Sequence, residues 1–158
     1  MTSKIKLIPK IIHFAWNLKL RINYLLGGKI VGARALVVKD NQVLLIRHTY
    51  TSGWYTIGGL VDKKETPKNA LIREIEEEAG IKADDPKLLG VYYSNYHKRD
   101  DYILFYLVES FAVVHNRTSP EIEEVKWFNF DKLPPDISPG TKRRIDEYLG
   151  LIPVSEVW

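Results

Sequence analysis

The chain contains no cysteine and a single methionine among its 158 residues. The absence of cysteine excludes disulfide bonds, cysteine-ligated zinc and thiol nucleophiles, and it fits a reducing compartment, so we expect a cytoplasmic location. Long apolar runs are also missing, because Lys10, Lys19 and Arg21 interrupt every N-terminal window of the roughly 20 residues that a bilayer span requires. The short apolar stretch there is not followed by an Ala-x-Ala site, which argues against a cleaved signal peptide.

Acidic side chains are missing from the first 39 positions. Residues 1–39 hold eight of the 23 basic residues and none of the 20 acids, a net charge of +8 against −5 for the rest. We interpret residues 1–27 as a basic amphipathic extension with a helix from Lys10 to Leu26, and residues 28–158 as one domain. The apolar content of 45% and the charged content of 27% are ordinary for a globular domain.

The basic extension has three interpretations. Its apolar side chains could pack on the domain or on a second subunit in a homodimer, namely Ile11, Ile12, Trp16 and Leu20. A basic amphipathic helix with aromatic residues such as Phe14 and Tyr24 could instead lie on an anionic membrane surface. Its lysines and arginine could also contact nucleic acid.

The stretch from Thr66 to Gly80 predicts a short helix. Thr66 suits the N-cap, Pro67 suits the first helical position and Gly80 suits the left-handed position past the end, so the helix should run from Pro67 to Ala79. At about 100° per residue, one face of this helix is apolar and another is acidic. The apolar face comprises Leu71, Ile72, Ile75 and Ala79, and the acidic face comprises Glu74, Glu77 and Glu78.

The acidic face is unfavourable for an isolated helix. Carboxylates at i, i+3 and i+4 repel each other by a few tenths of a kcal/mol per pair. Near the helix C-terminus they also oppose the macrodipole, by roughly 0.3–1 kcal/mol each. Clustered carboxylate oxygens are the ligands that Mg²⁺ and Mn²⁺ prefer, so a divalent cation explains the cluster. A solvated acidic helix face is the alternative.

The helix is part of a longer motif of fixed spacing. A glycine is followed after five residues by Glu and after seven more by Arg-Glu, an aliphatic residue, any residue, Glu-Glu, any residue, Gly and an aliphatic residue. The positions are filled by Gly59, Glu65, Arg73, Glu74, Ile75, Glu77, Glu78, Gly80 and Ile81. This pattern resembles the Nudix box, and the chain is similar to the Nudix family over roughly residues 28–150. Ile57 is a departure, because many members have proline before the glycine pair.

The resemblance implies a fold, a reaction and a cofactor. The fold would be α/β (α+β), a Nudix-like α/β/α sandwich with a mixed sheet, preceded by the extra N-terminal helical segment. The reaction would be hydrolysis of a diphosphate linkage in a nucleoside diphosphate derivative, by attack of water on phosphorus. The cofactor would be Mg²⁺ or Mn²⁺, with ligands from the carbonyl of Gly59 and from Glu74, Glu77, Glu78 and Glu121. The catalytic residues would be Arg73, Glu77, Glu78 and Glu121.

Individual roles also follow from the resemblance. Arg73 would orient a carboxylate of the motif through a charge-assisted bond. Glu65 would tie the loop to the helix. Glu78 and Glu121 are the two candidates for the base, and Glu121 stands in the loop before the final strand. Aromatic residues are candidates for nucleotide contact on their own chemistry: Trp54 and Tyr55 could stack on a base, and Tyr92, Tyr93, Tyr96 and His97 could line a nucleotide pocket. Packing in the core is the alternative for these side chains.

Apolar and alternating runs predict the other elements. Lys29 to Val38 and Gln42 to Arg47 should form an antiparallel ribbon. Two apolar runs after the motif should form a second hairpin. A last strand from about Val125 to Phe130 should lead to a C-terminal helix from Pro139 to about Leu149.

The substrate stays open at the level of sequence. A nucleoside triphosphate, a nucleotide sugar and a capped RNA end are all compatible with the motif, and the last would make the protein an RNA 5′-end pyrophosphohydrolase. A non-catalytic nucleotide-binding regulator with the same fold is a further alternative, although such domains often lose motif carboxylates that this chain keeps. Isopentenyl diphosphate isomerase shares the fold but relies on a catalytic cysteine, which this chain lacks.

Overall fold

The computed structural model describes residues 29–95, 100–115 and 119–158. These residues form eight strands and two helices. In chain order they are β1 (Ile30–Lys39), β2 (Gln42–His48), β3 (Ile57–Leu60), α1 (Pro67–Ala79), β4 (Ile81–Asp84), β5 (Lys87–Ser94), β6 (Asp101–Val108), β7 (Ser110–Val113), β8 (Ile122–Asn129) and α2 (Pro139–Tyr148).

The main sheet is mixed. Its strand order is β5-β6-β1-β2-β8, and β3 pairs with β1 beside β2. β1 runs parallel to β6, whereas its pairings with β2 and β3 are antiparallel. The β1–β2 turn has Asp40 and Asn41 at φ values of 49° and 63°, and a two-residue turn with two positive φ values matches the twist of a hairpin.

Each face of the sheet buries its own apolar core. On one face, Leu71 and Ile75 of α1 pack with Ala33 and Ala35 of β1. On the other face, Ile145 of α2 belongs to a second cluster that includes Leu36, Trp54, Tyr92 and Phe105. The alternation of β1 side chains supplies both cores, because successive residues of a strand point to opposite faces. The predicted α/β/α sandwich with a mixed sheet is confirmed.

Helix α1 has the bounds and caps that the sequence predicts. The Thr66 hydroxyl accepts a hydrogen bond from the Asn69 amide, and Pro67 occupies the first turn. Gly80 adopts φ 67° and its amide donates to the carbonyl of Glu76. Local capping chemistry was therefore sufficient to define this helix.

Two features of the strand pattern differ from the sequence prediction. The second apolar run after the motif divides at Glu109 into β6 and β7, and β7 pairs with the unpredicted β4 in a separate two-stranded sheet. Both strands of that pair have only four residues, too few for a periodic pattern to stand out. The last strand also begins earlier than expected, at Ile122.

The C-terminal residues cross the edge of the main sheet. The Tyr93 amide donates to the carbonyl of Glu156 at 2.8 Å, and the Trp158 amide donates to the carbonyl of Tyr93 at 2.9 Å. Trp158 packs edge-on against Tyr92 and Phe105. This segment therefore blocks part of the β5 edge, which would otherwise offer unpaired backbone groups.

The N-terminal extension of residues 1–27, together with Tyr96 and His97, lies outside the described residues. The division of the chain at residue 27 stays a prediction. Within the described part of the chain, no helix is both long and apolar enough to cross a membrane.

Candidate active site

Strand β3 presents its backbone alternately to β1 and to α1. The Gly58 amide donates to Oε2 of Glu78 at 3.0 Å, and the carbonyl of Leu60 accepts from Arg73 at 3.3 Å. A methyl group at Gly32 of β1 would lie 3.5 Å from the Gly59 oxygen, so this carbonyl is on the β1 side. The alternation follows from antiparallel pairing, in which every second residue bonds the neighbouring strand. Gly58 therefore contacts the acidic face, whereas the ligand role of the Gly59 carbonyl stays a prediction.

The two glycines allow the helix to approach β3 closely. A Cβ at Gly59 would lie 2.5 Å from the carboxylate of Glu74, so this carboxylate fills the space that any side chain there would need. A Cβ at Gly58 would overlap the carbonyl oxygen of Ala33, and its φ of 128° disfavours any other residue.

Arg73 joins the loop after β3 to the helix. Its Nε and one terminal nitrogen donate to the two oxygens of Glu65, each at 3.1 Å. Its other terminal nitrogen donates to Glu74 at 2.8 Å and lies 3.6 Å from Glu77. The Arg73 guanidinium lowers the pKa of Glu65 through this bidentate hydrogen bond. The geometry thus positions both Glu65 and Glu74.

The three carboxylates of the acidic face differ in exposure. Glu78 is buried, with 8% of its surface exposed, whereas the Glu77 side chain is 57% exposed. Burial raises the pKa of Glu78 to about 8, and the charges of Glu74 and Glu121 add to this increase. Burial also raises the pKa of Glu74, against the opposing effect of Arg73. Two of the three acids are therefore held in surroundings that disfavour their charged form.

Glu121 lies in the loop before β8. Its backbone carbonyl accepts a hydrogen bond from the Thr49 amide at 2.8 Å, which fixes the loop before β8 against the end of β2. Its charge acts on both Glu78 and Tyr50. The structure thus brings Glu74, Glu78 and Glu121 into one neighbourhood.

Two residues of this neighbourhood were missed by the sequence analysis: Arg34 and Tyr50. Arg34 donates to the carbonyl of Thr56 at 3.0 Å, and its positive charge opposes the raised pKa values of Glu74, Glu78 and Tyr50. Burial raises the pKa of Tyr50 to about 12. A charged residue inside the apolar run of β1 was the available signal for Arg34.

Two aromatic candidates for nucleotide contact are core residues. Trp54 is buried and packs edge-on against Phe128, with Arg47 over its ring. Tyr92 is also buried, and its hydroxyl donates to Glu147 of α2. These two assignments are corrected, because both rings are enclosed in the core opposite α1.

The donor chemistry of the site fits a hard divalent cation. The carboxylates of Glu74, Glu78 and Glu121 lie in this neighbourhood, with the Arg73 guanidinium and the Gly58 amide beside them as hydrogen-bond donors. In residues 29–95, 100–115 and 119–158, no three acidic or imidazole side chains are grouped to hold an ion as they stand. Glu74 is bonded to Arg73 and Glu78 to Gly58, so a bound cation would compete with both donors.

Alanine substitutions at the glycine pair should separate folding from metal binding. Gly58→Ala forces a Cβ against Ala33 at an unfavourable φ and should lower the free energy of unfolding by at least about 1–3 kcal/mol. Gly59→Ala meets only the mobile end of Glu74, so the fold should survive while Mn²⁺ affinity drops roughly 10–100-fold. Thermal unfolding and calorimetric titration with Mn²⁺ measure the two effects. Equal Mn²⁺ affinity in Gly59→Ala and the parent would contradict the placement of Glu74 at the ion.

Comparison with known proteins agrees with this arrangement. The family model of the NUDIX domain matches residues 28–148. The chain is 28% identical over 123 residues to a putative ADP-ribose pyrophosphatase, YjhB, of Bacillus subtilis, covering 75% of this chain and 58% of the relative. It is 29% identical over 118 residues to a putative 8-oxo-dGTP diphosphatase of the same organism, covering 74% of this chain and 78% of the relative.

A solved structure has the same fold at higher identity. The crystal structure of a MutT NUDIX hydrolase from Burkholderia pseudomallei superimposes with a TM-score of 0.64 at 30% identity, covering 75% of this chain and 96% of that one. The chain spans 58% of the length of the first relative above. Because the family model spans most of the chain and the motif occupies the expected strand, loop and helix, the chain belongs to the Nudix hydrolase family.

Proposed function

We propose that the protein hydrolyses a diphosphate linkage in a nucleoside diphosphate derivative with Mg²⁺ or Mn²⁺ as cofactor. The observation that carries the proposal is the burial of Glu78 beside Glu74 and Glu121. In the described part of the chain, no basic side chain forms an ion pair with Glu78, which accepts a hydrogen bond from Gly58. Such an arrangement costs stability in the absence of a cation and is expected where a cation binds.

The two Bacillus subtilis relatives support the substrate class. One is named a pyrophosphatase of ADP-ribose and the other a diphosphatase of 8-oxo-dGTP, and both substrates are nucleotides with a diphosphate link. We therefore propose a small nucleotide as the substrate. We also propose a cytoplasmic location, which rests on the cysteine-free composition alone.

The residues of the site would have distinct roles. Glu74, Glu77, Glu78 and Glu121 would hold the cation. When bound, the cation neutralises charge on the diphosphate and lowers the pKa of a coordinated water. Arg73 positions Glu74, and Glu65 in turn positions Arg73. Either Glu78 or Glu121 would accept a proton from the attacking water, because both are carboxylates of this neighbourhood.

We propose that Arg34 contacts the phosphates of the substrate. It is a half-buried cation among acids, and once a bound metal has neutralised those acids its charge is available for an anion. Arg34→Gln should lower kcat/KM about 10–100-fold, the equivalent of a charged hydrogen bond of roughly 1.5–3 kcal/mol. Steady-state kinetics and a thermal melt measure the change.

Arg47→Gln is the matched control for Arg34. Arg47 is also a half-buried arginine in the sheet, but it pairs with Asp136 at 3.0 Å and lies over Trp54. Its replacement should change stability and leave kcat/KM within about twofold. A loss of kcat/KM in Arg47→Gln as large as that in Arg34→Gln would show that the effect is not specific to phosphate contact.

A substrate panel tests the proposed function. Nucleoside triphosphates, ADP-ribose, nucleotide sugars and capped RNA ends are each incubated with Mg²⁺ or Mn²⁺, and released phosphate or nucleoside monophosphate is measured. Turnover of at least one nucleotide, abolished by a chelator and restored by added metal, is the expected result. Tight binding of one nucleotide with no turnover across the panel would overturn hydrolysis in favour of a binding regulator.

A further inference from the structure

The outer part of the sheet on the α1 side presents an apolar surface to solvent. Strand pairing aligns Leu88 with Tyr106, Val91 with Leu104, and Tyr93 with Tyr102 and Val31. Val157 extends the last row, because it forms a parallel bridge with Tyr93. We call this surface the β5–β6 face and define it by Val31, Leu88, Val91, Tyr102, Leu104 and Val157.

Four of the six apolar residues of the β5–β6 face are exposed, namely Val31, Leu88, Val91 and Val157, whereas Tyr102 and Leu104 are half-buried. Val91 is 49% exposed and Val157 is 57% exposed. The same rows continue into the buried core beneath α1, where Ala33 and Tyr106 lie. Contiguous apolar surface of this kind usually marks a site that another segment or molecule covers.

Helix α1 and the β4–β7 pair cover only the other part of this side of the sheet. Leu71 and Ile75 of α1, with Ile81, Ala83 and Phe111 of the small sheet, pack over β1, β2 and the end of β6. Strand β5 is the outermost strand of the sheet, so these elements leave its α1 side exposed. An additional layer of one helix would complete this side.

The chain that precedes β1 enters at the border of this surface. The Ile30 amide donates to the carbonyl of Asp100 at 3.1 Å, and the next residue, Val31, belongs to the β5–β6 face. Gly27 and Gly28 stand just before Lys29, and glycine permits the reversal needed to fold back over the sheet. The 28 residues that precede Lys29 are therefore tethered beside the exposed surface.

The length and pattern of that segment match the surface. A helix from residue 10 to residue 26 would be about 25 Å long, and the eight residues of β5 extend for about 27 Å. The apolar residues that repeat at helical spacing are Ile12, Trp16 and Leu20. We propose that residues 10–26 form a helix that packs this stripe on the β5–β6 face of the same chain.

Disulfide trapping in the full-length chain tests the contact, because no native cysteine interferes. Val91→Cys is combined in turn with Ile12→Cys, Trp16→Cys or Leu20→Cys, and each protein is mildly oxidised. Unlabelled and ¹⁵N-labelled chains are mixed before oxidation, so that mass spectrometry distinguishes links within a chain from links between chains. We expect at least one pair to link in more than half of the molecules, with both peptides from one isotope.

A matched control uses the opposite edge of the sheet. Asn129→Cys lies exposed on β8, and with the same three partners it should give no more than background linkage. Links that mix the two isotopes would overturn the proposal and assign the surface to a second copy of the chain. Failure of all three Val91 pairs to link above the Asn129 control would also overturn it.

A substitution experiment in the full-length chain provides an independent readout. Val91→Lys and Val113→Lys both replace exposed strand valines, but only Val91 belongs to the β5–β6 face. We expect Val91→Lys to lower Tm by several degrees and Val113→Lys to leave it nearly unchanged. When Trp16→Ser is already present, Val91→Lys should lower Tm little further. Additive effects of Val91→Lys and Trp16→Ser would contradict the contact. In a further experiment, phosphatidylserine vesicles are present during oxidation. If the protein then cosediments with the vesicles and the intramolecular link fails to form, the segment would be assigned to a membrane surface instead.

Discussion

Glu78→Gln should lower turnover with Mg²⁺ by at least about 10²–10³-fold while leaving the fold intact. Glu78 is the buried member of the acidic face, and the proposed function gives it a role as metal ligand or base. A glutamine keeps an oxygen that can accept from the Gly58 amide at the position now held by Glu78. The glutamine side chain is neutral, so its burial involves no desolvation of a charge. Burial raises the pKa of the Glu78 carboxyl to about 8 because it disfavours the charged form. The variant should therefore be no less stable than the parent without metal.

The measurements for Glu78 are kcat with the best substrate of the panel, the thermal midpoint, and the shift of that midpoint on adding Mg²⁺. Glu76→Gln is the matched control, since Glu76 is a half-buried neighbour on α1 that is not part of the motif. It should keep kcat within about twofold. Near-parental turnover in Glu78→Gln would remove Glu78 from the chemistry and leave Glu121 as the candidate base.

Glu147→Ala should cause the largest loss of stability, about 3–5 kcal/mol, because it leaves a buried charge uncompensated. Arg144 is fully buried and donates to Glu147 at 2.6 Å within α2. The same carboxylate accepts from the Tyr92 hydroxyl at 3.1 Å and the Ser155 amide at 3.0 Å. Its removal therefore breaks hydrogen bonds that join α2 to β5 and to the C-terminal segment. For a chain of this length the expected decrease in Tm is roughly 6–20 °C.

A double substitution distinguishes the cost of an unpaired charge from the value of the pair. Arg144→Met with Glu147→Leu replaces both ions by apolar side chains of similar size, and we expect it to be much less destabilising than Glu147→Ala alone. The free energy of unfolding from urea titration measures each variant. A double variant as unstable as Glu147→Ala would indicate that the three hydrogen bonds of Glu147, rather than charge burial, dominate.

The buried pair is relevant to the site because α2 also contacts the residue that precedes β3. Thr141, at the start of α2, accepts a hydrogen bond from the Thr56 amide at 3.1 Å. Thr56 directly precedes Ile57 and the glycine pair, and its carbonyl holds Arg34. Loosening α2 should therefore reduce activity as well as stability, although no residue of α2 lies among the proposed ligands.

Local physical chemistry explains what was predictable in the fold. The caps of α1, the β1–β2 turn and the spacing of the motif depend on residues only a few positions apart, and each agrees with the structure. Misassigned features depend on contacts distant in sequence. Trp54 looked available for stacking, but it is enclosed by Phe128, 74 positions later in the chain. The four-residue strands β4 and β7 are stabilised by each other and have little signal alone.

The sequence by itself determined the family, the bounds of α1 and the identity of the acidic face, because capping and helical periodicity are set by near neighbours. Only the tertiary structure decided that Glu78 is buried while Glu77 is exposed, since this depends on the close approach of Gly58. It also decided that Arg34 and Tyr50 join the acids. Those contacts arise when a strand, a loop and a helix far apart along the chain pack together, and pairing of that kind leaves no periodic signal in the sequence.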